Sequence, residues 1–192
     1  MTDAPRAHPD PRRVKVLVTS GSRGERFLGA RVPELAARLR RHGLSLILRH
    51  QGGDDVAAIE RAYAGAGIEA TVEPFIEDMA ATLAWADFAI TRAGAGTLAE
   101  LALAGVPALL VPLGDAAYDH QAANAAAFAG RGAALSWREQ EWNTDIIAAA
   151  VSSLLQDPSA WTSMSRAMSS LATPDAASRI VRECEALMDG RW

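Results

Sequence analysis

Apolar positions along this chain switch repeatedly between two spacings. Residues 14–19 (VKVLVT) form a compact run rich in β-branched side chains, as expected of a buried strand. Over 26–41 the spacing changes. Leu28, Val32, Leu35 and Leu39 recur every three or four residues, which predicts an amphipathic helix closed by Gly43. The alternation continues. Further strands are expected at 44–48, 68–72, 87–91, 106–111 and 133–136. Helices are expected from Asp54 or Asp55 to about Ala64, then over 76–86, 97–104 and 117–129. From Thr144 onward the pattern is helical only, and Asp157-Pro158 and Thr173-Pro174 break it into about three helices. Strands alternating with helices through short glycine-containing links predict an α/β fold. The expected form is a doubly wound, Rossmann-like parallel sheet of about six strands with helices on both faces. Residues 14–190 read as one domain. Residues 1–13 are polar and proline-rich and read as a disordered tail.

Composition narrows the function classes. The 192 residues are 49% hydrophobic and 22% charged, which fits a globular chain and not a disordered one. A net charge of −4 argues against nucleic acid as the main partner. Cys184 stands alone, which excludes an internal disulfide or a cysteine metal cluster and fits a reducing cytoplasm. No apolar run approaches the roughly 18 residues of a membrane span. No second histidine stands at metal-ligand spacing from His50, so neither a metal nor another cofactor is expected.

In a sheet of this kind ligands sit beyond the carboxyl ends of the strands, so the residues after each strand carry the chemistry. Ser20-Gly21-Ser22-Arg23-Gly24 follows the first strand. Its glycines let backbone amides approach an anion, although it is neither a dinucleotide fingerprint nor a P-loop. His50 ends the second strand and reads either as a ligand contact or as an ordinary hydrogen-bonded residue. After the fourth strand, Gly94-Ala95-Gly96 is expected to form a turn that few other residues would permit, with Thr97 opening the next helix. Glu100 has two readings: partner of Thr97 in a capping box, or a carboxylate accepting hydrogen bonds from ribose hydroxyls. Asp119, His120, Gln121 and Asn124 crowd the start of a later helix. Asp119 reads as its N-cap, while an imidazole and amides there also suit a polyhydroxylated ligand. Arg23, Arg49 and Arg92 are expected on the same rim, where they would be solvated or would neutralise a diphosphate.

Taken together, Phe75-Ile76-Glu77-Asp78-Met79, Ala86-Asp87, Arg92 to Glu100 (RAGAGTLAE), Gly105-Val106-Pro107, Val111-Pro112 and Asp119-His120-Gln121 with Asn124-Ala125 resemble the MurG-type glycosyltransferases. Those bacterial enzymes add N-acetylglucosamine to undecaprenyl-diphospho-muramoyl peptide. The resemblance runs from about Val14 to Leu187 and covers the C-terminal, UDP-sugar-binding half of a two-domain GT-B architecture. It implies that Ser22, Arg23 and Gly24 meet the donor diphosphate. Ile76 would present backbone groups to uracil, with Phe75 and Met79 beside the base. Thr97 and the amides of Gly94, Ala95 and Gly96 would hold phosphate, and Glu100 the ribose. Asp119, His120 and Gln121 would face the sugar. The chain departs from the family at Glu25, an acid where the family's first loop has alanine.

The family's other half binds the lipid-linked acceptor, touches the membrane and carries the proposed catalytic base. No segment before Val14 supplies it, and His120 is a weak candidate for the base. The expectation is therefore the donor half of an inverting hexosyltransferase, binding UDP-GlcNAc or another UDP-sugar and not active alone. It would work with an acceptor-binding partner subunit, cytoplasmic and peripheral at the inner face of the membrane, in peptidoglycan or polysaccharide synthesis. Ile180, Val181 and Leu187 are candidates for the partner interface. The alternative is a non-catalytic UDP-sugar-binding module acting as sensor or scaffold.

Overall fold

A computed structural model describes residues 6–20, 26–113 and 119–188. Six strands form one parallel sheet in the order β3-β2-β1-β4-β5-β6. They are β1 (Val14–Thr19), β2 (Leu46–Gln51), β3 (Ala70–Glu73), β4 (Phe88–Thr91), β5 (Ala108–Leu110) and β6 (Ala134–Ser136). The helices are α1 (Arg26–Arg41), α2 (Val56–Gly65), α3 (Met79–Trp85), α4 (Ala95–Ala104), α5 (His120–Ala129), α6 (Thr144–Gln156), α7 (Pro158–Ser170) and α8 (Ala176–Met188). The chain builds outward from β1 to β3 on one side, then crosses over to β4 and runs to β6. The order therefore reverses between β1 and β4, and a crevice opens there beyond the strand ends.

Each face of the sheet has its own core. Val14, Val16 and Val18 of β1 pack with Leu28, Val32 and Leu35 of α1, with Ile59 and Tyr63 of α2, and with Ile147, Val151 and Leu155 of α6. On the opposite face Leu17 and Ala89 pack with Leu83 of α3, with Leu98, Leu101 and Ala102 of α4, and with Met168 of α7. β-Branched side chains at every second position of β1 make this possible, because successive residues of a strand point to opposite faces.

Several boundaries differ from the expected ones for local reasons. β2 begins later and runs to Gln51, because the amide of Leu44 bonds back to Leu39 at the end of α1. α3 begins at Met79 and not Ile76, because Asp78 accepts from the amide of Ala81 and caps the helix. Ile76 is left in the preceding loop yet fully buried. The breaks at Pro158 and Pro174 hold: Asp157 caps α7, accepting from Ser159 and Ala160, with Pro158 in the first turn. Residues 6–13, expected as part of a loose tail, lie against the domain. Arg6 reaches backbone carbonyls of Ala84, Ala86 and Ala104, and His8 meets Leu155.

Candidate functional site

A cavity of about 230 Å3 opens at the crevice between β1 and β4. Leu17, Thr19, Gln51, Ala89 and Thr91 form its base, from the ends of three neighbouring strands. The loop before α3 supplies Phe75, Ile76 and Glu77, and α3 itself supplies Met79 and Leu83. Thr97, Glu100 and Leu101 of α4 form the remaining side. Most of these groups are apolar. Thr19, Gln51 and Thr91 place polar side chains at the floor, and Glu100 stands exposed at the mouth.

The first turn of α4 differs from the expected one. Gly94 is its N-cap in extended backbone (φ −67, ψ 141), which any residue adopts, and Gly96 is helical. The glycines are therefore not required by the turn. A Cβ on Gly96 would meet nothing within 4 Å, and one on Gly94 only Thr97 Oγ1 at 3.9 Å, so the space beside this turn is open. Thr97 is the third helical residue and not the N-cap, so the capping box with Glu100 does not form. The first amides of such a helix lack partners within it and carry the positive end of its dipole.

A second polar group lies at the start of α5. Asp119 adopts a left-handed backbone (φ 44) and makes no capping bond. It holds the expected N-cap position, but its carboxylate pairs with Arg138 at 2.9 Å and not with the helix amides. His120 is exposed. Gln121 is half-buried, its Oε1 accepting from the amide of Leu113 at 3.2 Å. Asn124 donates to the carbonyl of Ala93 at 3.0 Å, which ties α5 to the loop after β4. Asp119, His120 and Gln121 are not among the residues lining the cavity.

Two of the expected rim arginines are committed to the scaffold. Arg92 is only 3% exposed; it donates to the carbonyls of Val111 and Pro112, pairs with Glu139, and stacks over Phe27. Arg49 donates to Glu73 at 3.1 Å and to Thr82 at 2.8 Å. His50 is buried against the hydroxyl of Tyr63 at 2.9 Å, and burial pushes its pKa down to about 4. It is a core histidine and not a ligand contact. Ser22, Arg23 and Gly24, with Glu25, lie outside the described residues.

The profile of the glycosyltransferase family 28 C-terminal domain matches residues 15–180. The chain belongs to that family. An N-acetylglucosamine transferase of Xanthomonas euvesicatoria, named for UDP-N-acetylglucosamine and N-acetylmuramyl-(pentapeptide) pyrophosphoryl-undecaprenol, is 46% identical over 168 residues. That match covers 87% of this chain and 38% of the relative. The enzyme of the same name from Alkalilimnicola ehrlichii is 43% identical, over 89% of this chain and 48% of its own length. The crystal structure of Acinetobacter baumannii MurG superposes with a TM-score of 0.83 at 35% identity, covering 93% of this chain and 53% of that one. The expected fold and resemblance therefore hold: the sheet is that of the C-terminal half of the GT-B relatives. The chain spans about two fifths to one half of the length of these relatives.

Among the described residues no helix is long and apolar enough to cross a membrane, and no cluster of three or more His, Cys, Asp or Glu is placed to hold a metal. Thr19, Gln51 and Thr91 at the cavity floor were not anticipated. Their signal was positional: each is the last residue of a strand, an end that the expected boundaries already gave for Thr19 and Thr91 and missed only for Gln51.

Proposed function

We propose that the cavity binds the uridine of a UDP-sugar and that the chain is the donor-binding half of an inverting glycosyltransferase. The observation that carries the reading is that Ile76, Met79, Thr97 and Glu100, from two separate stretches, line one cavity at the reversal point of the sheet. At about 230 Å3 the cavity is smaller than the roughly 300–1,000 Å3 typical of sites for drug-sized ligands. It suits the nucleoside end of the donor, with diphosphate and sugar lying outside it. Uracil then stacks beside Phe75 and Met79 and bonds to the backbone at Ile76. Glu100 accepts from the ribose hydroxyls. The amides of Ala95, Gly96 and Thr97 meet the phosphates, as helix N-termini do, together with the loop of Ser22, Arg23 and Gly24. Asp119, His120 and Gln121 face the sugar. The relatives' names favour N-acetylglucosamine as that sugar.

In the reaction the acceptor oxygen attacks the anomeric carbon as the bond to the β-phosphate oxygen breaks. UDP leaves with the bonding pair, and the acceptor proton passes to a base. Stabilising the departing diphosphate is the task this chain is equipped for, through dipole and amides that need no rearrangement. The acceptor site and the base are assigned to an acceptor-binding partner at the cytoplasmic face of the membrane. The apolar stripe of α8 supports a partner, since Ile180 is 63% exposed and Val181 and Leu187 are also uncovered.

Calorimetry with UDP, UDP-GlcNAc and ADP tests the reading. Uridine-selective binding that falls roughly tenfold or more in Glu100→Ala is expected. Equal affinity for ADP and UDP refutes the uridine assignment. Sustained sugar transfer to a lipid acceptor by this chain alone refutes the need for a partner.

A further inference from the structure

We propose that Arg6 is a positioning residue for the nucleotide cavity, holding α3 and α4 at the separation that sets its width; the proposal rests on the reading of that cavity as a UDP site. The guanidinium lies across the C-terminal ends of both helices. Its Nη1 donates to the carbonyl of Ala104, the last residue of α4, at 3.1 Å. Its Nη2 donates to the carbonyls of Ala84 at 3.3 Å and Ala86, at the end of α3. The last carbonyls of a helix have no partner within it and carry the negative end of its dipole. A planar cation with a fixed fork of donors spans two such ends at once, where a lysine offers donors from a single nitrogen on a flexible stem.

The same two helices wall the cavity along their length, through Met79 and Leu83 on α3 and through Thr97, Glu100 and Leu101 on α4. Both helices are short, roughly 10 and 15 Å at 1.5 Å per residue, so a displacement at one end is carried to the other. Thr82 and Leu83 of α3 and Leu98, Leu101 and Ala102 of α4 are buried and fix the inner faces of the two helices, while Ala80, Ala81, Ala84, Ala95 and Ala99 face outward. The core thus seats each helix on the sheet, and the bridge between their C-terminal ends acts on what is left, the separation of one helix from the other that the uracil and ribose contacts require.

The same strap carries its own control. His8 bonds to the carbonyl of Leu155 at 3.0 Å and meets the Trp161 ring edge-on at 5.8 Å. Those contacts anchor α6 and α7, neither of which lines the cavity. Arg6→Ala and His8→Ala are compared in the full chain for melting temperature and for UDP affinity by calorimetry. Both are expected to lower the melting temperature. Only Arg6→Ala is expected to weaken UDP binding, by roughly tenfold, with His8→Ala staying within about twofold of the parent. Unchanged affinity in Arg6→Ala, or an equal loss in both variants, overturns the proposal. Should Arg6→Ala fail to fold, Arg6→Lys takes its place, since donors on one nitrogen span less than the guanidinium fork. If the parent chain binds no UDP, the reading of the cavity fails separately. Amide exchange in the first turns of α3 and α4 then decides: faster exchange in Arg6→Ala than in His8→Ala supports the positioning role, and equal exchange refutes it.

Discussion

Lowering the pH should destabilise this protein through one residue, His50. The imidazole is 2% exposed, sits beneath the end of β2, and has the Tyr63 hydroxyl as its polar neighbour at 2.9 Å. Burial favours the neutral ring and moves its pKa from 6.5 to about 4. The same burial raises the pKa of Tyr63, so the phenol stays protonated and provides no compensating charge. The folded-state value lies below the unfolded one. Between about pH 4 and 6.5 the unfolded chain therefore binds the extra proton, and stability rises with pH. This contribution is complete above pH 6.5, declines as the pH falls, and is lost once the pH passes about 4. The difference, 6.5 minus about 4, is about 2.5 units. At about 1.4 kcal/mol per unit it amounts to about 3 kcal/mol. Against a typical total of about 5–15 kcal/mol that is a large share. Urea unfolding of the parent and of His50→Gln, repeated from pH 7.5 down to 4, isolates it, because every other ionisable group is common to both. The parent should lose about 3 kcal/mol more than the variant across that range. Parallel curves would show that His50 does not bear the cost of protonation.

Two glycines on α4 should respond in opposite ways to the same change. A Cβ on Gly96 meets open space, so Gly96→Ala should raise thermal stability by about 0.5–1 kcal/mol while weakening UDP binding, because the methyl stands where the phosphates approach. Gly105 ends the helix at φ +64, and its Cβ would fall 2.4 Å from Ser169 Oγ, so Gly105→Ala should lower the melting temperature and leave the site's selectivity for uridine intact. Arg92→Ala should cost about 3 kcal/mol in denaturant unfolding, since it strands Glu139 and two buried carbonyls, and a neutral result would show that the pair contributes nothing net.

The sheet was legible because its code is local. β-Branched runs, helical spacing and proline breaks named six strands and eight helices whose positions differ from the observed ones by only a few residues. The lining of the cavity was legible in part, through the Phe75–Met79 stretch and through Thr97 and Glu100. What sequence could not supply was direction. Arg92 and Arg49 stand next to strand ends, as ligand residues do, yet fold back onto Glu139 and Glu73. Nothing in spacing distinguishes a guanidinium facing solvent from one closing on a half-buried carboxylate. His50 failed for the same reason, its partner Tyr63 lying thirteen residues away on a helix. Thr97 failed differently. The helix starts two residues earlier than the threonine signal because Ala95 and Gly96 accept helical geometry and Gly94 takes the N-cap position without a side-chain cap.

The turned-in arginines also bear on how such a site could hold a diphosphate. A rim of free guanidiniums would attract any polyanion, and it would do so at long range. With Arg92 3% exposed and Arg49 paired, attraction among the described residues beside the cavity falls instead to groups of short reach, the first amides of α4. Helix-terminal charge fades within a turn and amides bond only in line. Such a surface selects by position more than by charge. The nucleoside must first be seated between the Phe75 loop and Glu100 for its phosphates to come within range. On this reading the selectivity for uridine and the grip on the diphosphate are one property. The spacing of α3 and α4 governs both, which gives a small contact at the far ends of those helices leverage over the whole site.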